Sequence, residues 1–258
     1  MSSYSEETIK EFAEAYEKWI LRQDDLMTNY MTRAYRSEKA SEYARHGLSR
    51  RLQSLRHSID RTFRVIPPEA KRPPSRNQLM DATAFIHSFL VSAYGGLDNL
   101  ARIWCLEADV KNEKGKPVSD GRIGLGPKNT IVRESLSTEL QDYLRSADPW
   151  FEYLQNYRHA VAHRIPVYIP PKTLSDEDAK EWRRIEEEIV GALKARSFDE
   201  YDALFSTQKA LGRFQPVMMH SFGERARPVW LHGQMLCDFS TVIEIGENLL
   251  KELDGLDS

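Results

Sequence analysis

Arg158, His159, His163 and Arg164 place four cationic or protonatable side chains within seven residues. Histidine moves protons near neutrality because its unperturbed pKa lies near 6.5. Arginine stays charged, and its planar fork takes two phosphate oxygens at once. Cutting RNA without a metal needs these functions: a base for the 2′-OH proton, an acid for the departing 5′-oxygen, and a cation for charge on the phosphorane. On an ideal helix His159 and His163 share a face, whereas Arg158 stands about 140° around from His163. One helix therefore does not converge Arg158 and His163. Fraying before Pro166, or a second copy of the chain, would bring them together.

Two other chemistries fit the same residues. A His-x3-His pair can bind zinc from one helix face. Ala160-Val161-Ala162 supply no general base between the histidines, which speaks against a metalloprotease. The third reading is structural. Cations near a helix C-terminus are favoured by the helix dipole, and these side chains could bond to polar groups of a neighbouring helix.

The element that must carry the cluster spans about 148–165. Asp148 and Pro149 suit an N-cap and a first helical residue, and Pro166 ends the helix. Phe151, Leu154, Tyr157, Val161 and Ile165 recur at three- and four-residue steps and mark its buried face. A longer helix, about 75–108, carries a broad apolar face from Leu79 to Leu106, as a central bundle helix would. Gly95-Gly96 interrupts it at a cost of about 1 kcal/mol per glycine relative to alanine, which predicts close approach of a neighbour or a kink. Asp98 and Asn99 add polar groups to that run. Asp98 is spaced to pair with Arg102 on its own helix. Alternatively, Asp98 or Asn99 faces the 148–165 helix and orients its side chains.

Arg158-His159-Ala-Val-Ala-His163 resembles the Arg-x4–6-His signature of the HEPN superfamily (higher eukaryotes and prokaryotes nucleotide-binding domains). The resemblance implies an all-α fold and a metal-independent endoribonuclease site formed where two protomers meet. By that resemblance Arg158 and His163 match the signature residues, His159 its polar position, and Asp98 or Asn99 the supporting polar group. It also implies a homodimer with an RNA substrate, a role in toxin–antitoxin or antiviral systems, and an antitoxin or nucleotidyltransferase partner. An inactive relative used for RNA binding or assembly is the other outcome. Neither cofactor nor metal is called for.

The expected fold class is thus all-α: a bundle of long helices over 75–258 with a loop insertion at 111–129, preceded by a helical extension over 1–68. The extension reads as helices over 5–33 and 37–66, with Gly47 a weak point in the second and Pro67-Pro68 its stop. Between Arg33 and Arg76 twelve basic residues face four acidic ones. That segment is +8 in a chain of net charge −3, and such a local field can attract phosphate. Arg50, Arg51 and Arg56 are its candidates for RNA contact. An acidic helix over 175–195, bearing Glu181, Glu186, Glu187 and Glu188, is a candidate partner for the basic segment. Asp178 in place of Glu or Gln leaves that helix an imperfect capping box after Ser175.

The glycines at 121, 124 and 126 carry no preceding strand and no Gly-Lys-Ser/Thr ending, so a phosphate-loop reading is rejected. A helix is expected over 130–146. A small β-hairpin is expected near 213–231, turning at Phe222-Gly223-Glu224, with Pro216 and Pro228 confining its strands to edges. A last helix over 233–254 closes the bundle. With 41% hydrophobic and 29% charged residues and a mean hydropathy of −0.57, the chain can bury a core and offers no membrane span. The first residues lack the basic start and apolar core of a signal peptide, so a cytoplasmic location is expected. Cys105 and Cys237 read as buried thiols, with a disulfide between them as the alternative.

Overall fold

The computed structural model describes residues 3–221 and 227–256. Its architecture is an all-α helical bundle. Helix α1 spans Glu6–Thr32, and the Ser5 hydroxyl caps it by accepting the Thr8 N–H at 3.1 Å. Helix α2 (Glu38–Glu42) starts at Ser37, runs into a π turn at Tyr43–Leu48, and continues as α3 (Ser49–Val65). Helix α4 (Arg76–Glu107) opens with a full capping box between Ser75 and Gln78. The stretch expected as one helix over 37–66 is therefore widened at its Gly47 weak point. A β-carbon at Gly47 would stand 3.0 Å from Asn99 Nδ2, so the glycine admits the Asn99 side chain against the turn.

Close approach is found at Gly95, where a β-carbon would lie 2.8 Å from Arg51 Nε, while one at Gly96 would make only ordinary contact, 3.8 Å from Val242. The π turn and α3 pack along α4, with Leu48 of the turn and Leu52, Leu55 and Ile59 of α3 fully inside. These residues of 1–68 belong to the same hydrophobic core as Phe89, Leu97 and Leu100 of α4. Glu107, buried at the end of α4, accepts the backbone N–H groups of Arg36 and Ser37 at 3.1 and 3.0 Å, which fixes the start of α2. Carboxylates are favoured at such N-termini by the unpaired N–H groups there.

The region after α4 departs from expectation in several places. The helix expected over 130–146 is two helices, α5 (Thr130–Glu134) and α6 (Thr138–Ser146), because the Ser137 hydroxyl starts a new cap at Leu140 N. Helix α7 spans Asp148–His163. Asp148 is its first helical residue rather than its cap, and its carboxylate pairs instead with Arg133 at 2.7 Å. The buried face of α7 is Phe151, Leu154, Tyr157 and Ala160. Ile165 lies beyond the helix end and is exposed, because the chain turns extended at Arg164.

Helix α8 (Asp176–Ala195) begins with both bonds of a capping box, Asp178 serving where Glu or Gln was expected. It packs on α9 (Phe198–Ala210), a helix for which the sequence set no expectation, and among the described residues its main packing is there rather than on the basic segment. Two of its carboxylates, Glu181 and Glu188, bond Arg184 on the same helix.

Strands β1 (Val217–Met218) and β2 (Val229–Trp230) pair antiparallel, Val217 opposite Trp230. The expected turn at Phe222–Glu224 lies outside the described residues. Tyr168 and Thr173 bridge to Met219 and Arg213, so the extended 167–173 segment runs beside the hairpin. Helix α10 (Leu231–Gly255) buries Met235, Phe239, Val242, Ile243 and Leu249 against α1 and α4. Cys105 is buried, but Cys237 is exposed on α10, and both are free thiols. Among the described residues no helix is long and apolar enough to cross a membrane.

Candidate active site

Helix α7 packs against α4, and its four buried side chains join the same hydrophobic core as Leu97 and Leu100. Arg158 follows Tyr157 in sequence, so burial of Tyr157 swings Arg158 to the flank of the contact. There its guanidinium carbon sits 5.3 Å from the centre of the Tyr94 ring. A cation over an aromatic face is attracted by the ring quadrupole, by about 0.5–2 kcal/mol.

Asp98, one turn beyond Tyr94, shares this surface. Burial raises its carboxyl above the usual carboxylate value, and the charges of Arg102, Arg158 and Arg51 oppose that rise. Three cations from three helices thus converge on one half-buried carboxyl. Arg102 does not close the expected pair with Asp98 as its main bond. It donates to Asp120 at 2.6 Å. Of the two polar candidates on α4, Asp98 faces α7. Asn99 turns to the opposite flank and packs on the π turn at Gly47.

His159 and His163 lie edge to face with ring centres 6.0 Å apart, as their four-residue spacing dictates. Burial holds the His159 pKa below the usual histidine value, and the charges of Arg158, His163, Arg164 and Lys128 push it further down. A neutral imidazole at pH 7 can take a proton, so His159 is suited to act as a base. His163 is exposed at the last turn. Arg164 donates to the Asn156 carbonyl at 2.7 Å and to Asn156 Oδ1 at 2.5 Å, bracing the chain as it leaves the helix. Arg158 is directed at Tyr94 and Asp98 while the histidines pair with each other. The divergence expected of a single helix is present.

The 121–129 loop supplies what the sequence reading missed. It folds against α7, so that Lys128 stands near His159. A cavity of about 200 Å³ lies between loop and helices, lined by Tyr94, Asp98, Gly124, Lys128, Asn129 and Gln155. Gly124 serves local packing, since a β-carbon there would meet Asn129 Oδ1 at 2.7 Å. The loop is held by Arg133, buried on α5, whose Nε–H donates to the Leu125 carbonyl at 2.7 Å while its other end pairs with Asp148. A basic residue just ahead of a helix was the available signal for Lys128, but nothing local said where the loop would fold.

The three basic candidates separate. Arg51 lies on Gly95 beside Asp98, and Arg50 sits next to it on an open cavity. Arg56 instead pairs with Asp24 of α1 at 3.2 Å, away from this strip. Among the described residues no cluster of three or more His, Cys, Asp or Glu side chains could hold a metal, so a zinc ion on His159 and His163 would need further ligands from elsewhere. What the arrangement offers is two imidazoles, one with lowered basicity, beside Arg158 and Lys128. No family model, curated protein or solved structure matches the chain.

Proposed function

We propose that this protein is an HEPN-like endoribonuclease that cuts RNA without a metal and completes its site across a homodimer. The observation that carries the reading is the joint placement of the signature residues. His159 and His163 stand side by side at an exposed helix end, and Arg158 is braced by Tyr94 and Asp98 on the helix beneath. In this reading a histidine takes the 2′-OH proton as the 2′-oxygen attacks phosphorus. A second histidine protonates the departing 5′-oxygen, and Arg158 with Lys128 holds charge on the phosphorane. The products are a 2′,3′-cyclic phosphate and a 5′-hydroxyl. A second protomer would bring its own cluster opposite the first and remove the divergence of Arg158 and His163. Toxin–antitoxin or antiviral action, an antitoxin or nucleotidyltransferase partner, and a cytoplasmic location belong to the same proposal.

The test is cleavage of single-stranded RNA in EDTA by wild type, Arg158→Ala and His163→Ala, with the oligomeric state measured on the same samples. Cleavage to cyclic-phosphate ends, lost in both variants with the dimer intact, supports the reading. A folded wild-type dimer inert on several RNAs sinks it.

The direction of Arg158 favours a second reading. Its guanidinium points to Tyr94 and Asp98 of its own chain rather than to His163. That suits an inactive HEPN-like module that binds RNA or assembles. Arg158→Ala would then leave a cellular phenotype intact.

A further inference from the structure

The other flank of the Tyr94–Asn99 turn opens on a second cavity. It measures about 480 Å³ and lies between the π turn and α4. Small-ligand sites commonly span about 300–1,000 Å³. Lys39, His46, Arg50 and Arg51 contribute cationic or protonatable groups, against the single carboxylate of Glu42. Asn99 forms part of the floor and Tyr43 part of the wall.

Three features make this more than a basic surface. First, the lining is shaped by an irregular backbone. The π turn at Tyr43–Leu48 widens the helix just where Gly47 lets Asn99 in, and such turns occur often at functional sites. Second, the basic segment divides by role. Arg33 and Arg36 bond the end of α10, Arg45 holds the Met31 carbonyl, and Arg56 pairs with Asp24. Among the described residues Lys39, Arg50 and Arg51 are in no ion pair, and Lys39 and Arg50 stay exposed. Third, the cavity is linked to the α7 cluster through Arg51. Arg51 lines it and also acts on Asp98, which in turn meets Arg158. Asp98 and Asn99 are neighbours on α4 that look into the two sides of one strip.

We infer that the cavity between the π turn and α4 holds a nucleotide of single-stranded RNA, its phosphate on Lys39, Arg50 and Arg51, on the other side of Asp98 from Arg158. This rests on the ribonuclease reading for its substrate but names a separate binding site. Arginine and lysine suit a phosphate, the Asn99 amide offers a donor and an acceptor to a base edge, and the Tyr43 ring offers a stacking face. Arg102, 5.5 Å from the centre of that ring, steadies it.

The test is binding of a labelled single-stranded RNA built wholly of 2′-O-methyl nucleotides, which lacks the attacking hydroxyl and cannot be cut by this route. Each phosphate contact on a single strand contributes about 0.7 to the slope of log affinity against log salt. Lys39→Ala combined with Arg50→Ala is therefore expected to flatten the slope by about 1.4 and to weaken binding most at low salt. Arg183→Ala with Lys194→Ala removes two exposed cations from α8 and controls for net charge. Equal losses in the two double variants, no loss in either, or no binding by wild type would each overturn the inference. Displacement of the RNA by poly-aspartate as readily as by unlabelled RNA would overturn it too. If RNA binding responds as expected while ordinary RNA is never cut, the cavity stands and the ribonuclease reading fails. If ordinary RNA is cut with the same KM by wild type and the Lys39/Arg50 variant, the reverse holds.

Discussion

The Arg51 side chain lies across Gly95, so close that a β-carbon there would meet Arg51 Nε at 2.8 Å. This contact carries a cation of the N-terminal basic segment to the carboxyl of Asp98, where the charges of α3, α4 and α7 meet. Gly95→Ala should gain about 1 kcal/mol of helix propensity and lose part of it to the crowded guanidinium. Because the end of an arginine can swing aside, stability by urea unfolding should change by less than about 1 kcal/mol. The Asp98 carboxyl, deprived of a nearby cation, should titrate higher still by carbon-detected NMR. An unchanged Asp98 titration would show that Arg51 does not act on it.

His159 gives the cleavage reading a pH signature. Its pKa is held below the ordinary histidine value by burial and by Arg158, His163, Arg164 and Lys128. If His159 is the base, the acid limb of kcat/KM should lie below about 6.5. Lys128→Ala should move that limb up, since it removes a cation that disfavours the protonated ring. A limb at the ordinary value, unmoved in the Lys128 variant, would assign the base elsewhere.

Two buried groups on α10 should give stability opposing pH dependences. The Asp238 carboxylate accepts Trp150 Nε1–H at 2.9 Å, Tyr153 O–H at 3.2 Å and Gln234 Nε2–H at 2.7 Å, yet full burial pushes its pKa up to about 6. Its folded value exceeds its unfolded value of 3.8, so this stability is present below about 4 and lost as pH rises through 6. His232 is buried between Tyr4 and the Ile66 carbonyl, and burial lowers its pKa to about 4. Its contribution is complete above 6.5 and lost as pH falls through 4. Each effect is about 3 kcal/mol at 1.36 kcal/mol per unit. Between pH 4 and 6 the two largely cancel. Urea unfolding across that range should show stability falling with pH in His232→Leu and rising with pH in Asp238→Asn. Identical slopes in wild type and both variants would contradict the assignment.

Arg133 is the tie between site and scaffold. Arg133→Met leaves the Asp148 carboxylate without its partner and the Leu125 carbonyl without its donor. Breaking such a pair costs on the order of 3 kcal/mol. Thermal unfolding should register that loss, and amide exchange over 121–129 should quicken in the folded state. Any RNA cleavage should fall with it as Lys128 moves away from His159. Unaltered exchange in the loop would mean that other contacts hold it.

The sequence by itself determined the all-α class, because three- and four-residue apolar spacing and the serine caps at 5, 37, 75 and 175 are local signals. It also set the side-by-side placement of His159 and His163, which depends only on the helical repeat. It offered a close neighbour or a kink at Gly95-Gly96, and only the fold placed Arg51 against Gly95. The fold alone decided the remainder. Asp98 and Asn99 are adjacent in sequence and equally polar, yet α7 covers one and the π turn admits the other. Lys128 stands near His159 because the loop folds onto α7, where buried Arg133 ties the Leu125 carbonyl to Asp148 of α7. Arg56 and Arg50 look alike in a basic run, but Asp24 of α1 pairs with one and leaves the other on an open cavity. Such outcomes rest on which surfaces meet across the bundle, and residues far apart in sequence settle that together.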